Sequence, residues 1–117
     1  MRNYFQRSNL FIISLGAIPG TILRWQSQDF FIVNLIGCFI LGLINSLPLL
    51  KKIKLLFGVG FCASLTTFSG WIFYLYQLIN EGLYKMLFIN IISIVFLGLF
   101  AVACGNLVGK KIINLVQ

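Results

Sequence analysis

The sequence predicts an all-α membrane protein: four transmembrane helices in a single domain, residues 1–117, with the third helix broken at mid-membrane. Three observations carry this reading. The chain is 60% hydrophobic and 9% charged, with a mean hydropathy of +1.01, which leaves too little polar surface to coat a soluble globule. Its apolar residues fall into four runs, 10–23, 30–50, 55–79 and 87–108, separated by charge. The third run carries no charge, yet its centre reads Ser64-Leu65-Thr66-Thr67-Phe68-Ser69-Gly70.

A spanning helix needs about 20 residues, so the second, third and fourth runs qualify by length. The first is short and follows Arg2 and Arg7, as a signal peptide would. No small-x-small cleavage site follows it, and Pro19-Gly20 falls where an apolar core should continue, so a retained helix reaching Arg24 and Trp25 is expected. The helices are placed at about residues 8–25, 30–50, 55–79 and 86–108. Short connections make consecutive helices antiparallel neighbours in an up-down bundle. Gly16 and Gly20, Cys38 and Gly42, and Gly105 and Gly109 are each four apart, a spacing that lets helix backbones approach closely in lipid. A bundle with so many small-residue faces is expected to oligomerise.

Several function classes drop out. The net charge of +7 points to nucleic acid only if basic residues form a patch with aromatic neighbours, and here they sit in loops between apolar runs. No nucleic-acid partner is expected. With no histidine and two acidic residues, Asp29 and Glu81, acid-base or metal-hydrolytic catalysis has almost nothing to work with, so the protein is not expected to be an enzyme. Cys38, Cys62 and Cys104 lie inside apolar runs without metal-ligand spacing and read as small hydrophobes.

The break in the third run points to ion movement. Unpaired backbone is costly in hydrocarbon, so a helix opens there against protein or around a polar pathway. Broken helices supply carbonyls to cations, and amides or hydroxyls to anions. Thr66, Thr67 and Ser69 place three hydroxyls beside Phe68 and Trp71, which are three apart and share one side of a helix. Aromatic ring edges are positive, so they line an anion path without the trap that Lys or Arg would make. Plain packing is the competing account of the two rings. Asn34, one turn inside the second helix, is either interhelical glue or an amide donor to an anion. Arg24 is either an interfacial anchor beside Trp25 or a vestibule group that braces carbonyls and draws anions in.

With these residues the sequence resembles the small bacterial fluoride channels called Fluc or CrcB. The resemblance covers all four runs. It rests on Gly16 to Trp25, on Val33-Asn34-Leu35-Ile36-Gly37, and above all on Gly60-Phe61-Cys62 followed by Leu65-Thr66-Thr67-Phe68-Ser69. It implies a multi-pass protein of the bacterial inner membrane that lets toxic cytoplasmic fluoride leak out passively. It further implies an antiparallel dimer with two fluoride pores and one structural sodium ion at its centre. By the same resemblance Asn34, Phe68 and Trp71 line the fluoride pore with Thr67 and Ser69, and Ser93 is the fourth helix's contribution. The backbone carbonyls of Ala63 and Thr66 would hold the sodium. The chain departs from the family at Phe30, often Thr; at Ala63, usually Gly; and at Trp71, usually Phe. On the fourth helix, where the family shows Tyr and Ser, it has Asn90 and Ser93, in ambiguous register.

Fluoride is small and strongly hydrated, so its passage requires donors that replace water, and a fixed cation would bind it too well to release. Two rivals remain: a small four-helix drug exporter, and a non-transporting assembly subunit. The exporter needs a carboxylate inside the membrane, but Asp29 and Glu81 lie in loops. The assembly subunit leaves the Thr-Thr-Phe-Ser break unexplained. Finally, Arg2, Arg7, Lys51, Lys52, Lys54, Lys110 and Lys111 fall on one side of a four-span bundle, against Arg24 and Lys85 on the other. Basic residues stay cytoplasmic, so both termini are expected inside. A chain with so fixed an orientation is expected to form half of a heterodimer with an oppositely oriented paralogue.

Overall fold

The computed structural model describes residues 6–117. Among them every regular element is helical: α1 (Arg7–Gln26), α2 (Phe30–Ser46), α3 (Lys51–Lys54), a π-helical stretch (Leu55–Cys62), α4 (Ala63–Leu65), α5 (Phe68–Asn80) and α6 (Tyr84–Val116). The stretch from α3 to α5 follows the third apolar run and is interrupted only at Thr66 and Thr67. These two are extended, at φ −74°, ψ 148° and φ −142°, ψ 123°.

Local chemistry sets the ends. Asp29 lies outside the helices and caps α2, its Oδ1 accepting from the backbone N–H of Phe31 at 2.9 Å and of Ile32 at 3.3 Å. α2 stops at Ser46, short of the expected residue 50. Leu47 is already extended, as the ring of Pro48 demands of the residue before it. The next helical turn opens at Lys51, four residues before the expected start. α5 ends in a reversal through Gly82, at φ +71°, where the Leu83 N–H reaches back to the Leu78 carbonyl at 2.9 Å. α6 continues past residue 108 to Val116, taking Lys110 and Lys111 with it. Their long apolar stems let a lysine stay in the helix while its ammonium reaches water.

Packing follows the small residues. Gly16 and Gly20 of α1 lie on the backbone of Leu56, Phe61 and Leu65, and Gly60 lies on the Ile13 carbonyl, where an added Cβ would come within 2.6 Å of the oxygen. Positions advance together along both partners, so α1 and the third path, Lys51–Asn80, run in the same direction. In the same way Gly42 meets the Val102 carbonyl, Gly105 the Phe39 carbonyl and Gly109 the Ser46 side chain, so α2 and α6 also run parallel. Arg7, Lys51, Lys52, Lys54, Lys110 and Lys111 therefore gather at one end of the bundle, with Arg24 and Lys85 at the other. Arg2 lies outside the described residues.

The outer surface is apolar. Phe96 and Leu99 of α6 are 68% and 67% exposed, and almost none of its most apolar stretch is buried. Water would penalise so large a patch, whereas lipid would not. Lys51–Asn80 and Tyr84–Val116 are long and apolar enough to cross a membrane, and α2 is a shorter apolar helix.

Candidate functional site

In an unbroken helix the Thr67 N–H would bond to the Ala63 carbonyl one turn back. Here it donates instead to Asn34 Oδ1 at 2.8 Å, while Asn34 Nδ2 donates to the Thr67 carbonyl at 3.2 Å. One side chain from α2 thus satisfies both backbone groups of the residue at the break. The interhelical-glue role of Asn34 is realised, and one of its two amide hydrogens is left over. Thr67 in turn caps α5, its Oγ1 accepting from the Gly70 N–H at 3.2 Å. Thr66 turns its hydroxyl back onto its own helix, donating to the Cys62 carbonyl at 3.0 Å. Gly37 makes room for the Thr66 methyl, since any Cβ there would strike it.

A cavity of about 560 Å³ lies beside the break. Asn34, Ala63, Thr66, Thr67, Phe68 and Trp71 line it, with Cys38, Cys62, Ile94 and Val95 in its apolar remainder. Among the described residues no charged side chain lines it. The Phe68 and Trp71 rings share this wall, their centroids 5.8 Å apart at an interplanar angle of 60°. Phe68 is 73% exposed, an unusual position for a ring whose role is to fill a core. Ala63 has ordinary helical angles, φ −66° and ψ −31°, so its Cβ imposes no backbone strain.

The remaining expected site residues lie elsewhere. Ser69 lines a separate cavity of about 500 Å³ with Phe68, Ile72, Phe73 and Tyr76, although its Oγ is 3.4 Å from Thr67 Oγ1. Ser93 lines a third cavity, of about 250 Å³, with Phe31, Tyr74, Met86, Ile89 and Asn90. Arg24 sits half-buried in the last turn of α1, where the helix dipole favours a cation, beside the exposed Trp25.

Two contacts escaped the sequence reading. Trp71 Nε1 donates to Asn90 Oδ1 at 2.8 Å, joining α5 to α6. The Phe30 ring lies over Gly70 at the start of α5, its atoms 3.0 Å from where a Cβ would stand. The signal for the first was an asparagine near the start of the fourth apolar run. Phe30 carried no such signal.

Chemically, the larger cavity offers the spare amide hydrogen of Asn34, the Thr67 hydroxyl and two aromatic rings, a set suited to a small anion that must leave as readily as it enters.

Residues 11–106 match the family model described as CrcB-like protein, Camphor Resistance (CrcB). The chain is 50% identical over 107 residues to "Fluoride-specific ion channel FluC 1" of Prochlorococcus marinus (strain NATL2A), covering 92% of this chain and 94% of that protein. It is 42% identical over 104 residues to "Fluoride-specific ion channel FluC 2" of Prochlorococcus marinus (strain MIT 9313), covering 89% and 84%. A protein of the same name from Synechococcus sp. (strain CC9902) is 40% identical over 108 residues, covering 88% and 81%. A family model matched over residues 11–106, on a chain whose broken third helix opens beside a polar-walled cavity, has one consequence: the protein belongs to the CrcB family.

Proposed function

We propose that this protein is a fluoride-specific ion channel, and not an enzyme, through which cytoplasmic fluoride leaves the cell passively. The observation that carries the proposal is the uncharged cavity beside the Asn34–Thr67 clamp, walled by Phe68 and Trp71. Three relatives over most of the chain bear the name of that activity. A negative-inside potential drives the anion outward with about 2.3 kcal/mol per charge per 100 mV. Asp29 is committed to capping α2 and no carboxylate lines the cavity, which supports a channel over a proton-coupled exporter.

The setting we propose is the bacterial inner membrane, crossed by α1, α2, the third path and α6 in turn, with the break at membrane depth. Two oppositely oriented subunits form the working unit. A structural sodium ion at their centre is held by the carbonyls of Ala63 and Thr66. The fit is chemical: the Ala63 carbonyl has lost the Thr67 N–H as its partner, and Thr66 leaves the helix in extended form. Carbonyl oxygens suit a hard cation. When bound, that ion would offset carbonyl dipoles left by the break.

Fluoride efflux from vesicles, followed with an ion-selective electrode under a potassium gradient and valinomycin, tests the proposal. The expected result is rapid fluoride release with chloride retained. No fluoride release, either from the chain alone or from the chain reconstituted with an oppositely oriented homologue, would overturn it.

A further inference from the structure

α2 and the third path pass each other in opposite directions. Asn34 bonds to Thr67, a Cβ on Gly37 would stand 3.8 Å from the Cys62 carbonyl oxygen, and one on Gly58 would meet a Leu41 methyl at 3.7 Å. Cys38 falls between Gly37 and Leu41, and Cys62 between Gly58 and Thr66, so these two residues come to one level of the bundle. No metal-ligand spacing announces a pair brought together across two helices. Both cysteines line the larger cavity, one turn from the Asn34–Thr67 clamp, and neither is in a disulfide. Cys62 is buried and Cys38 half-buried. On the α6 side lies Gly98, where even a Cβ would stay 3.8 Å from Cys38 Sγ. Cys104 does not line this cavity.

Deprotonated, a cysteine sulfur is a soft ligand that selects ions such as copper(I) over the hard cations that oxygen ligands hold. A monovalent d10 ion, copper(I) or silver(I), is satisfied by two such ligands in line. The chain has no histidine, and among the described residues no carboxylate lines the cavity to favour a harder ion. Binding needs no oxidant: two S–H bonds break, two metal–sulfur bonds form, and two protons leave to solvent. The cavity then holds one cation between two thiolates, and so a net negative charge where there was none. Away from water such a charge repels a second anion strongly.

We propose that Cys38 and Cys62 form a two-thiolate site for a soft monovalent cation, copper(I) or silver(I), and that its occupation closes the cavity to fluoride. The closing half rests on the channel reading above; the binding half does not. Neutral thiols leave the wall uncharged, so the site acts only when the ion is present.

Binding is measured first, on the full chain in detergent, reduced and then freed of reductant. Copper(I) is offered in competition with a colorimetric chelator, and thiolate-to-copper charge transfer is followed in the ultraviolet. The parent is expected to withhold about one copper(I) per chain and to release about two protons to an indicator dye. Cys38→Ser and Cys62→Ser are each expected to lose that copper with helicity by circular dichroism kept. Cys38→Ala and Cys62→Ala are expected to repeat the result without a hydroxyl, and Cys104→Ser to retain the copper. No copper held by the parent, or copper held equally by the Cys38 or Cys62 variants, would overturn the site. Release of a single proton per ion would mean one thiolate and would overturn it too.

Flux is measured second, in vesicles loaded with potassium fluoride and kept free of chloride, which would precipitate silver. Silver nitrate is expected to stop fluoride release, and dithiothreitol to restore it. Each cysteine variant is compared with its own flux before silver, and a loss of silver sensitivity of about tenfold or more is expected at Cys38 and Cys62. Silver bound by the parent with fluoride release unchanged would overturn the closing role. If the parent carries no fluoride in any assembly, the channel reading fails and the closing role with it, while copper binding still decides whether the two thiols hold a metal.

Discussion

Asn34 stands in for a missing turn of helix at Thr67, its Oδ1 taking the backbone N–H at 2.8 Å and its Nδ2 giving to the carbonyl at 3.2 Å. Each of these groups, buried without a partner, would cost about 1–3 kcal/mol. The break is therefore not a weak point in the third path. It is a backbone opening held at fixed width by one side chain from another helix, and the adjoining cavity inherits that rigidity.

Asn34→Asp keeps the acceptor for the Thr67 N–H, removes the donor to its carbonyl, and sets a like charge on the wall of an anion path. We expect fluoride flux to vanish while helicity by circular dichroism is kept. Asn34→Leu orphans both groups of Thr67 and is expected to lower stability in detergent by about 2–4 kcal/mol. Wild-type flux from Asn34→Asp would remove Asn34 from the pore.

The two threonines at the break are expected to differ. Thr67→Val removes the cap on the Gly70 N–H and is expected to cost about 1 kcal/mol. In Thr66→Val only a bond back to the Cys62 carbonyl is lost, and stability is expected to change little. If the Thr66 carbonyl is a sodium ligand, replacing sodium by a large organic cation will lower the melting temperature of wild type and Thr66→Val equally. Loss of that sodium effect in Thr66→Val would contradict a backbone ligand.

The existence and place of the break were legible in the sequence, because a polar centre in an apolar run has few other readings. Close helix contacts were legible in the glycine spacing, and Asp29 was visibly outside the helices. What Asn34 does was not. An amide one turn inside a helix fits glue and donor equally, and the partner that makes it glue, Thr67, lies 33 residues away in sequence. The Trp71–Asn90 bond crosses between helices, 19 residues apart in sequence, so no periodicity announces it. Ser69 looked like a neighbour of Phe68 and Trp71 in sequence, but each step along a helix turns about 100°, and this turn carries Ser69 to another cavity. The end of α2 at Ser46 was not read, because Leu49 and Leu50 extend the apolar run past Pro48, which disfavours helix at the residue before it.

Glycines that look alike in sequence are expected to respond differently to substitution. A Cβ on Gly105 would meet the Leu43 nitrogen at 2.9 Å and the Phe39 carbonyl oxygen closer still, and backbone cannot step aside. Gly105→Ala is expected to cost about 1–3 kcal/mol by overpacking. At Gly58 the first neighbour is a flexible methyl of Leu41 at 3.7 Å, so Gly58→Ala is expected to be neutral or slightly stabilising. Denaturation in detergent orders the pair, and equal losses would mean that α2 and α6 do not meet at Gly105.

The last prediction concerns orientation. Because α1 runs with the third path and α2 with α6, six basic residues of the described chain, Arg7, Lys51, Lys52, Lys54, Lys110 and Lys111, lie at one end, and Arg24 and Lys85 at the other. Lys54 is tied in place there, donating to the Asn45 carbonyl at 3.2 Å. The bias matters more than any single lysine, because membrane insertion keeps basic residues on the cytoplasmic side. An opposed homodimer needs a chain that inserts both ways, and a bias this steep disfavours the second way. We expect a reporter fused to the C-terminus to signal from the cytoplasm alone, and full fluoride flux to require an oppositely oriented partner chain. Moving three of the lysines, by substituting Lys51, Lys52 and Lys54 with Gln and adding basic residues to the loop at 27–29, is expected to yield signals from both compartments. Equal signals from the unmodified chain, or full flux from it alone, would rule out the heterodimer.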